Sequence, residues 1–147
     1  MQISIKKASI EDANFLLLLR NKKSVRKNSF TAASINKKDH KKWFEEELNN
    51  KCTIILIVYK NSERIGMVRY NLEDIFAHVS IGIKKKFRSL GYGAAALKAS
   101  EIYLKKSTIV IAKVKKTNKN SINMFLKNKF KIFLNKKHLT LIKILRK

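Results

Sequence analysis

Proline is absent from this 147-residue sequence, cysteine occurs once, at Cys52, and glycine only four times. Each scarcity excludes something. With no proline-rich or Gly/Ser-rich stretch, no linker, repeat or low-complexity tail divides the chain, so residues 1–147 read as one domain. One cysteine cannot form an internal disulfide, which fits a reducing compartment. The longest apolar runs, residues 15–19 and 54–59, fall far short of the ~20 residues of a membrane-spanning helix. The first residues lack an apolar core of signal-peptide length. A cytoplasmic chain with no membrane partner is expected. Acidic side chains are also scarce, 10 Asp and Glu against 34 Lys and Arg, for a net charge of +24.

That excess suggests an anionic partner: a nucleotide, a phosphorylated substrate or a nucleic acid. A nucleic-acid footprint should be clustered and rich in arginine. Here arginine occurs only at Arg20, Arg26, Arg64, Arg69, Arg88 and Arg146, and lysines occupy every segment. Abundant Lys, Asn and Ile point to an AT-rich coding sequence. Most of the charge is therefore read as compositional, and no nucleic acid is expected as partner.

What is present is a globular pattern, 45% apolar with aromatics throughout. Residues 3–6 read as a strand. Ser9 and Asp12 form a capping box for a helix reaching Arg20, with Ile10, Ala13, Leu16 and Leu17 inward. Residues 21–31 are polar and irregular. Asn36 caps a helix striped with His40, Trp43, Phe44 and Leu48. Residues 52–59 form a buried strand in which Cys52 packs, and residues 64–70 return as its hairpin partner. Residues 108–114 are another strand, and Asn118 caps a helix carrying Ile122, Phe125 and Leu126. Residues 130–134 and 138–145 close the chain as two strands. This order predicts an α/β fold: a mixed central sheet of about seven strands with helices on both faces. The connection from Ile83 through a helix to Ile109 predicts parallel pairing of those two strands.

The chain is organised around residues 77–100. An alternating strand, 77–83, leads through the basic connector 84–87 to Arg88-Ser-Leu-Gly91-Tyr-Gly93 and an Ala-rich helix. Three of the four glycines, Gly82, Gly91 and Gly93, lie here. A turn that opens a helix without side chains lets backbone N–H groups converge where the helix dipole adds positive potential. The natural guest is a phosphate.

Arg88-x-x-Gly91-x-Gly93 resembles the Arg/Gln-x-x-Gly-x-Gly/Ala signature of the GCN5-related N-acetyltransferase (GNAT) family, placed as in that family after a bulged strand and before a helix. Asn118-x-x-Ser121-x-x-x-Phe125-x-Lys127-x-Lys129-Phe130 resembles its second motif, and the element order is similar along essentially the whole chain. The resemblance implies the GNAT fold, acetyl-CoA as cosubstrate and no metal. It implies that the backbone of Ile81, Gly82 and Ile83 meets the pantetheine arm as an added strand would. Arg88 and the amides of Ser89, Leu90, Gly91, Tyr92, Gly93 and Ala94 would hold the pyrophosphate, Asn118 would bond the cofactor, and Phe125 would line the thioester pocket. For Asn118 a simple helix cap, and for Phe125 a core position, are equally natural readings. Three departures stand out. Phe125 replaces the tyrosine that protonates the leaving thiolate in many relatives. Lys113 replaces the glutamate of ribosomal-protein alanine acetyltransferases. Lys129 replaces a glycine, so the helix end is expected to be built differently.

The first half bears on the acceptor. Leu19-Arg20-Asn21-x-x-x-Val25-Arg26-x-x-Ser29-Phe30, His40-x-x-Trp43-Phe44 and Ile65-Gly66-Met67-Val68-Arg69-Tyr70 resemble the nucleotide-sugar N-acetyltransferases of nonulosonic acid biosynthesis, including the pseudaminic acid branch. This implies transfer to the amine of a UDP-linked 4-amino-4,6-dideoxy sugar, directly within a ternary complex. Arg20, Asn21, Arg26, His40, Trp43 and Arg69 become substrate-binding candidates, because a diphosphate and a uracil call for cations and an aromatic face. Core packing remains the alternative for Trp43 and His40, and dipole compensation for Arg20. Arg69, on an apolar strand, needs a partner. The acceptor amine must lose a proton to attack, and His78 and Ser80 are the nearby candidates to take it. Alternatives are a protein N-terminal or small-amine (polyamine) acetyltransferase and, remotely, a basic nucleic-acid-binding domain. Monomer and homodimer stay open.

Overall fold

The computed structural model describes residues 2–22 and 35–146. Seven strands form one mixed sheet in the order β1-β2-β3-β4-β5-β7-β6. They are β1 Ser4–Lys7, β2 Thr53–Lys60, β3 Glu63–Glu73, β4 Phe76–Ile83, β5 Ile109–Val114, β6 Lys131–Asn135 and β7 Leu139–Ile144. The described helices are α1 Ala13–Asn21, α2 Lys37–Leu48, α3 Tyr92–Ser100 and α4 Lys119–Lys127. Pairing is antiparallel except between β4 and β5, which run parallel as expected.

Alternation along the strands sends side chains to two different cores. Leu56, Val68, Tyr70, Val79, Val110, Ala112 and Leu141 point to the α3/α4 side, where Ala96, Leu97, Ile122 and Phe125 complete the larger core. Ile55 and Ile57 point the other way, to Leu16 of α1 and Phe44 of α2. Tyr70 is fully buried in the larger core. The Ser100 hydroxyl donates to the Leu97 carbonyl (2.7 Å), so the Tyr70 hydroxyl is the donor in its 2.6 Å bond to Ser100. On the other side Asp12, also buried, accepts from the Ser9 amide and from Arg64 Nε, joining the start of α1 to β3.

Several details depart from expectation, each for a local reason. Residues 10–12 form a 3-10 turn that carries Ile10 to the surface, and Leu19 is buried in its place. Leu126 lies on the exposed side of α4. Cys52 precedes β2, is exposed, and donates its amide to Asn50 in a turn, so it does not pack. The β3–β4 ladder runs without a register shift, so the expected bulge in β4 is not there. Lys129 adopts φ 70°, the left-handed conformation glycine would supply, and Phe130 N–H bonds Phe125 C=O (3.1 Å). The end of α4 is thus built as a glycine would build it, with lysine bearing the conformational cost.

Candidate active site

A cleft opens in the middle of the sheet because two parallel strands part company. β4 and β5 pair only at Phe76–Ile109, Ala77–Val110 and His78–Ile111. Beyond His78, β4 stays on β3 as far as Ile83, while β5 stays on β7 as far as Val114. The result is a V with its apex at His78.

Hydrogen-bond parity tells which peptide groups line it. Lys84 N–H bonds Ile65 C=O (2.8 Å) in the uninterrupted β3–β4 register, so even-numbered residues of β4 bond to β3. Ile109 N–H bonds Ile75 C=O (2.8 Å), so odd-numbered residues face β5. Past the apex, Ile81 and Ile83 therefore turn their peptide groups into the V. Gly82 does not: its peptide groups pair with Met67 of β3. The Ile83 carbonyl is itself occupied, accepting from Arg88 Nε at 2.8 Å. Arg88 thus fastens the connector to the strand end, and burial pushes its pKa below the usual guanidinium range. What remains is a short row of backbone donors and acceptors suited to an extended guest bearing amides.

On the α3 side, the connector ends in two left-handed residues, Ser89 (φ 61°) and Gly91 (φ 89°). Gly91 is the N-cap of α3, and a side chain there would be strained. Gly93 serves another end, since a Cβ on it would lie 2.8 Å from Met124 Sδ of α4. The amides of Tyr92, Gly93 and Ala94 open the helix, and its positive end suits an anionic group. Tyr92 contributes backbone alone, because its buried ring packs edge-on to Phe87. Leu90 is exposed beside the turn. Across the V, Asn118 caps α4 by accepting from Ser121 N–H (3.3 Å) through its oxygen, which leaves its amide nitrogen to serve a guest. Phe125 is buried against Phe130 as part of the core wall.

The opposite face carries the other candidates. Arg69 lies opposite Ser80, and Asn71 opposite His78, so these four side chains share the α1/α2 side of the sheet. The Arg69 guanidinium sits 5.5 Å from the centre of the Trp43 ring, which is 37% exposed. Its Nε is buried, with no hydrogen-bond acceptor among the described residues. Burial drives the Arg69 pKa down, partly offset by the charge of Glu47, whose carboxylate accepts from Thr53 Oγ at 2.6 Å.

The remaining candidates divide. Asn21 is committed: its amide donates to Ile35 C=O (2.7 Å) and its oxygen accepts from Ile35 N–H (2.8 Å), so it braces α1 against the start of α2 and is not available to a ligand. His40 is buried behind Trp43 and stacked on Phe44, with a pKa lowered by desolvation, so it backs the site without lining it. Arg20, half-buried at the end of α1, makes contacts of its own. Arg26 lies outside the described residues. Asn71 and Glu47 were missed, although the hairpin register with strict alternation would have placed Asn71 beside His78. Among the described residues no cluster of His, Cys, Asp and Glu is placed to hold a metal ion, and no helix is long and apolar enough to cross a membrane.

Comparison with known proteins agrees with this geometry. The family model described as "Acetyltransferase (GNAT) family" matches residues 22–130. No curated protein matches the sequence. Among solved structures, a spermidine N-acetyltransferase from Vibrio cholerae in complex with CoA and spermine superposes with a TM-score of 0.84 at 13% identity, over 97% of this chain and 95% of that one. A domain from Methanocaldococcus jannaschii gives 0.82 at 17% identity, over 98% and 99%. A ribosomal-protein-alanine N-acetyltransferase from Brucella melitensis gives 0.77 at 18% identity, over 97% and 99%. At such identities the likeness is one of fold, and the two enzymes named differ in what they acetylate.

Proposed function

This chain belongs to the acetyltransferase (GNAT) family, and we propose that the acceptor of its acetyl group is the amine of an anionic nucleotide-linked sugar, a UDP-linked 4-amino-4,6-dideoxy sugar. The enzyme is an N-acetyltransferase that uses acetyl-CoA. Acetyl-CoA supplies a thioester carbonyl for the amine to attack and a thiolate that leaves. The V suits it: the peptide groups of Ile81 and the N–H of Ile83 suit the amide-bearing pantetheine arm, and the turn at Ser89–Ala94 suits the pyrophosphate.

The acceptor reading is carried by one observation. Arg69 is held against Trp43 with a buried Nε that has no acceptor, in register with Ser80 beside the V. A guanidinium so placed suits a diphosphate, and the exposed ring beside it suits a base. The charge balance points the same way. A polyamine would approach a chain of net charge +24, with a cation already at the site, and be repelled. Lys113, exposed on the same side of β5, would likewise repel a protein N-terminal ammonium.

In this reading the amine approaches from the α1/α2 side and the donor lies in the V. The N–C bond forms as the C–S bond breaks, and the proton shed by the amine must leave toward a base. His78, half-buried at the apex, and Ser80, exposed one pair further on, are the side chains placed to receive or relay it. Phe125 has no proton to give, so the departing thiolate takes its proton from solvent or from the amine. An acceptor panel tests the proposal: thiol release with UDP-amino sugars against polyamines, aminoglycosides and N-terminal peptides. Turnover of the amino-sugar nucleotides alone is expected; preference for a polycation or a peptide would overturn it.

A further inference from the structure

The two edges of the sheet are finished differently. β1 closes one side with Ser4, Lys6 and Lys7 exposed and Ile5 as its single apolar residue. That polar finish keeps an edge strand from pairing with other chains. β6 closes the other side, and among the described residues no strand pairs with its outer edge. All five of its residues are exposed, including Ile132 (50%), Phe133 (63%) and Leu134 (42%). The β6–β7 register shifts between Ile132 and Leu134 and leaves Phe133 unpaired, so the strand is bulged there. By register Ile132 shares a face with Leu141 of the larger core, and Leu134 shares the opposite face with Thr140. Apolar side chains therefore flank this edge on both faces, a run that solvent does not favour.

Charge decides what covers it. All ten acidic residues lie at or before Glu101, so the chain from β5 through β7 contains none. Lys129 and Lys131 precede the apolar run, Lys136 and Lys137 follow it, and all four are exposed. Leu134, His138 and Thr140 line a hollow of about 230 Å³ with Lys113, Lys136 and Lys137. That is smaller than the ~300–1,000 Å³ of small-molecule pockets and suits single side chains. A second copy would set one acid-free surface against another and be repelled. A nucleic acid or an anionic lipid surface would answer the lysines, but neither supplies peptide groups to pair with an open edge. We propose that the β6 edge docks an extended segment of an acidic protein. Its apolar side chains cover Ile132, Phe133 and Leu134, its carboxylates meet the flanking lysines, and its backbone pairs with the strand beside the bulge. β5 and β7 separate this edge from β4, so the docked segment leaves the V open and the proposal does not rest on the acceptor.

The test titrates the full chain with an alternating Glu-Val octapeptide by calorimetry and follows backbone amides by NMR. Comparators are a Lys-Val octapeptide, a glutamate octapeptide, the Glu-Val peptide N-methylated at alternate residues, a single-stranded oligonucleotide and phosphatidylserine vesicles. The Glu-Val peptide should bind with a Kd below about 1 mM, weaken with salt and slow amide exchange in residues 131–135. Each comparator should bind at least about tenfold more weakly. Ile132→Ser/Phe133→Ser/Leu134→Ser should lower Glu-Val affinity about tenfold with CoA affinity unchanged, and Phe133→Ser alone runs in parallel in case the triple variant fails to fold. No binding of the Glu-Val peptide at about 1 mM, or binding unchanged in a folded variant, overturns the proposal. Equal or tighter binding of the glutamate peptide, the oligonucleotide or the vesicles makes the edge a general polyanion or lipid surface and overturns it too. So does equal binding of the N-methylated or Lys-Val peptide. A concentration-dependent dimer in sedimentation that Phe133→Ser abolishes would assign the edge to a second copy and likewise overturn it.

Discussion

Replacing Arg69 with methionine sets fold against function. In the folded protein without acceptor, the guanidinium gains a contact with Trp43, worth about 0.5–1 kcal/mol when exposed and ~2 kcal/mol when desolvated, plus some attraction from Glu47. Against that stand a buried Nε with no acceptor, at about 1–3 kcal/mol, and the desolvation of the charge itself. The second pair is at least as large as the first. Methionine fills similar volume without polar atoms, so Arg69→Met should leave the fold equally stable or more stable, by up to about 1 kcal/mol. For a chain of this size that is a rise in Tm of roughly 2–4 °C. The acceptor should fare otherwise: losing charge-assisted hydrogen bonds of ~1.5–3 kcal/mol lowers kcat/KM for the nucleotide-linked amine about 10- to 150-fold. Acetyl-CoA affinity should stay at the wild-type value, and Arg69→Lys should recover only part of the loss, since an ammonium lacks the bidentate fork. Thermal melts, calorimetry with acetyl-CoA and thiol-release kinetics read the three quantities separately. A Tm lowered by more than about 5 °C with acceptor kinetics unchanged would make Arg69 a structural residue and refute the reasoning.

Gly66→Ala should destabilise by about 3 kcal/mol and raise KM for acetyl-CoA, because the new Cβ would lie 2.4 Å from the Gly82 carbonyl oxygen and 2.6 Å from Ile83 Cδ1, at the end of β4 that lines the V. Gly93→Ala meets only the flexible end of Met124 and should cost less, so equal urea midpoints for the two variants would contradict this packing. Burial raises the Tyr70 pKa to about 12, while the unfolded phenol ionises near 10. The unfolded state thus sheds this proton first, and the group's stabilisation, complete below pH 10, declines by roughly 1.4 kcal/mol per unit toward pH 12. Tyr70→Phe should cost about 1 kcal/mol at neutral pH and remove that decline, so a wild-type minus variant difference that is flat from pH 9 to 11.5 in urea melts would refute the assignment. His78→Gln should lower kcat at least about tenfold with KM for acetyl-CoA unchanged, and a kcat equal to wild type, measured with Ser80→Ala alongside, would remove His78 from the proton route.

The strand and helix starts that line the V were legible because they rest on local signals. Alternation marks β4, scarce glycines mark the turn, and Asn118 marks the start of α4, all within the reach of neighbouring residues. The acceptor half depends on contacts distant in sequence. Nothing local to Asn21 says that its amide closes on Ile35, and nothing local to Arg69 says that its guanidinium settles on Trp43. Composition also misled in both directions. Cys52 looked like a core residue because of the apolar run that follows it, yet it falls in the turn before β2. Lys129 looked incompatible with the motif's helix end, yet the backbone takes the left-handed conformation regardless, because the bond from Phe130 N–H to Phe125 C=O and the packing of both rings outweigh a strain of ~1–2 kcal/mol.

On the proposed reading, the period of a single strand lets two substrates reach one point without sharing a surface. Side chains of odd-numbered β4 residues, Val79, Ile81 and Ile83, enter the core beneath α3 and α4, while their peptide groups point sideways into the V. Side chains of even-numbered residues, His78 and Ser80, stand on the other face with Arg69, Asn71 and Trp43. On the proposed reading, one strand offers backbone to the donor and side chains to the acceptor, at positions a single residue apart. The donor can be recognised through peptide groups, which any sequence able to form the strand supplies, so that side needs few particular side chains beyond the turn. Acceptor choice has to be written in side chains on the α1/α2 face. A shared fold can accordingly carry acetyl transfer to chemically unlike amines, and on the proposed reading Arg69, set on Trp43 with a buried Nε that has no acceptor among the described residues, is the feature of this chain that selects its own.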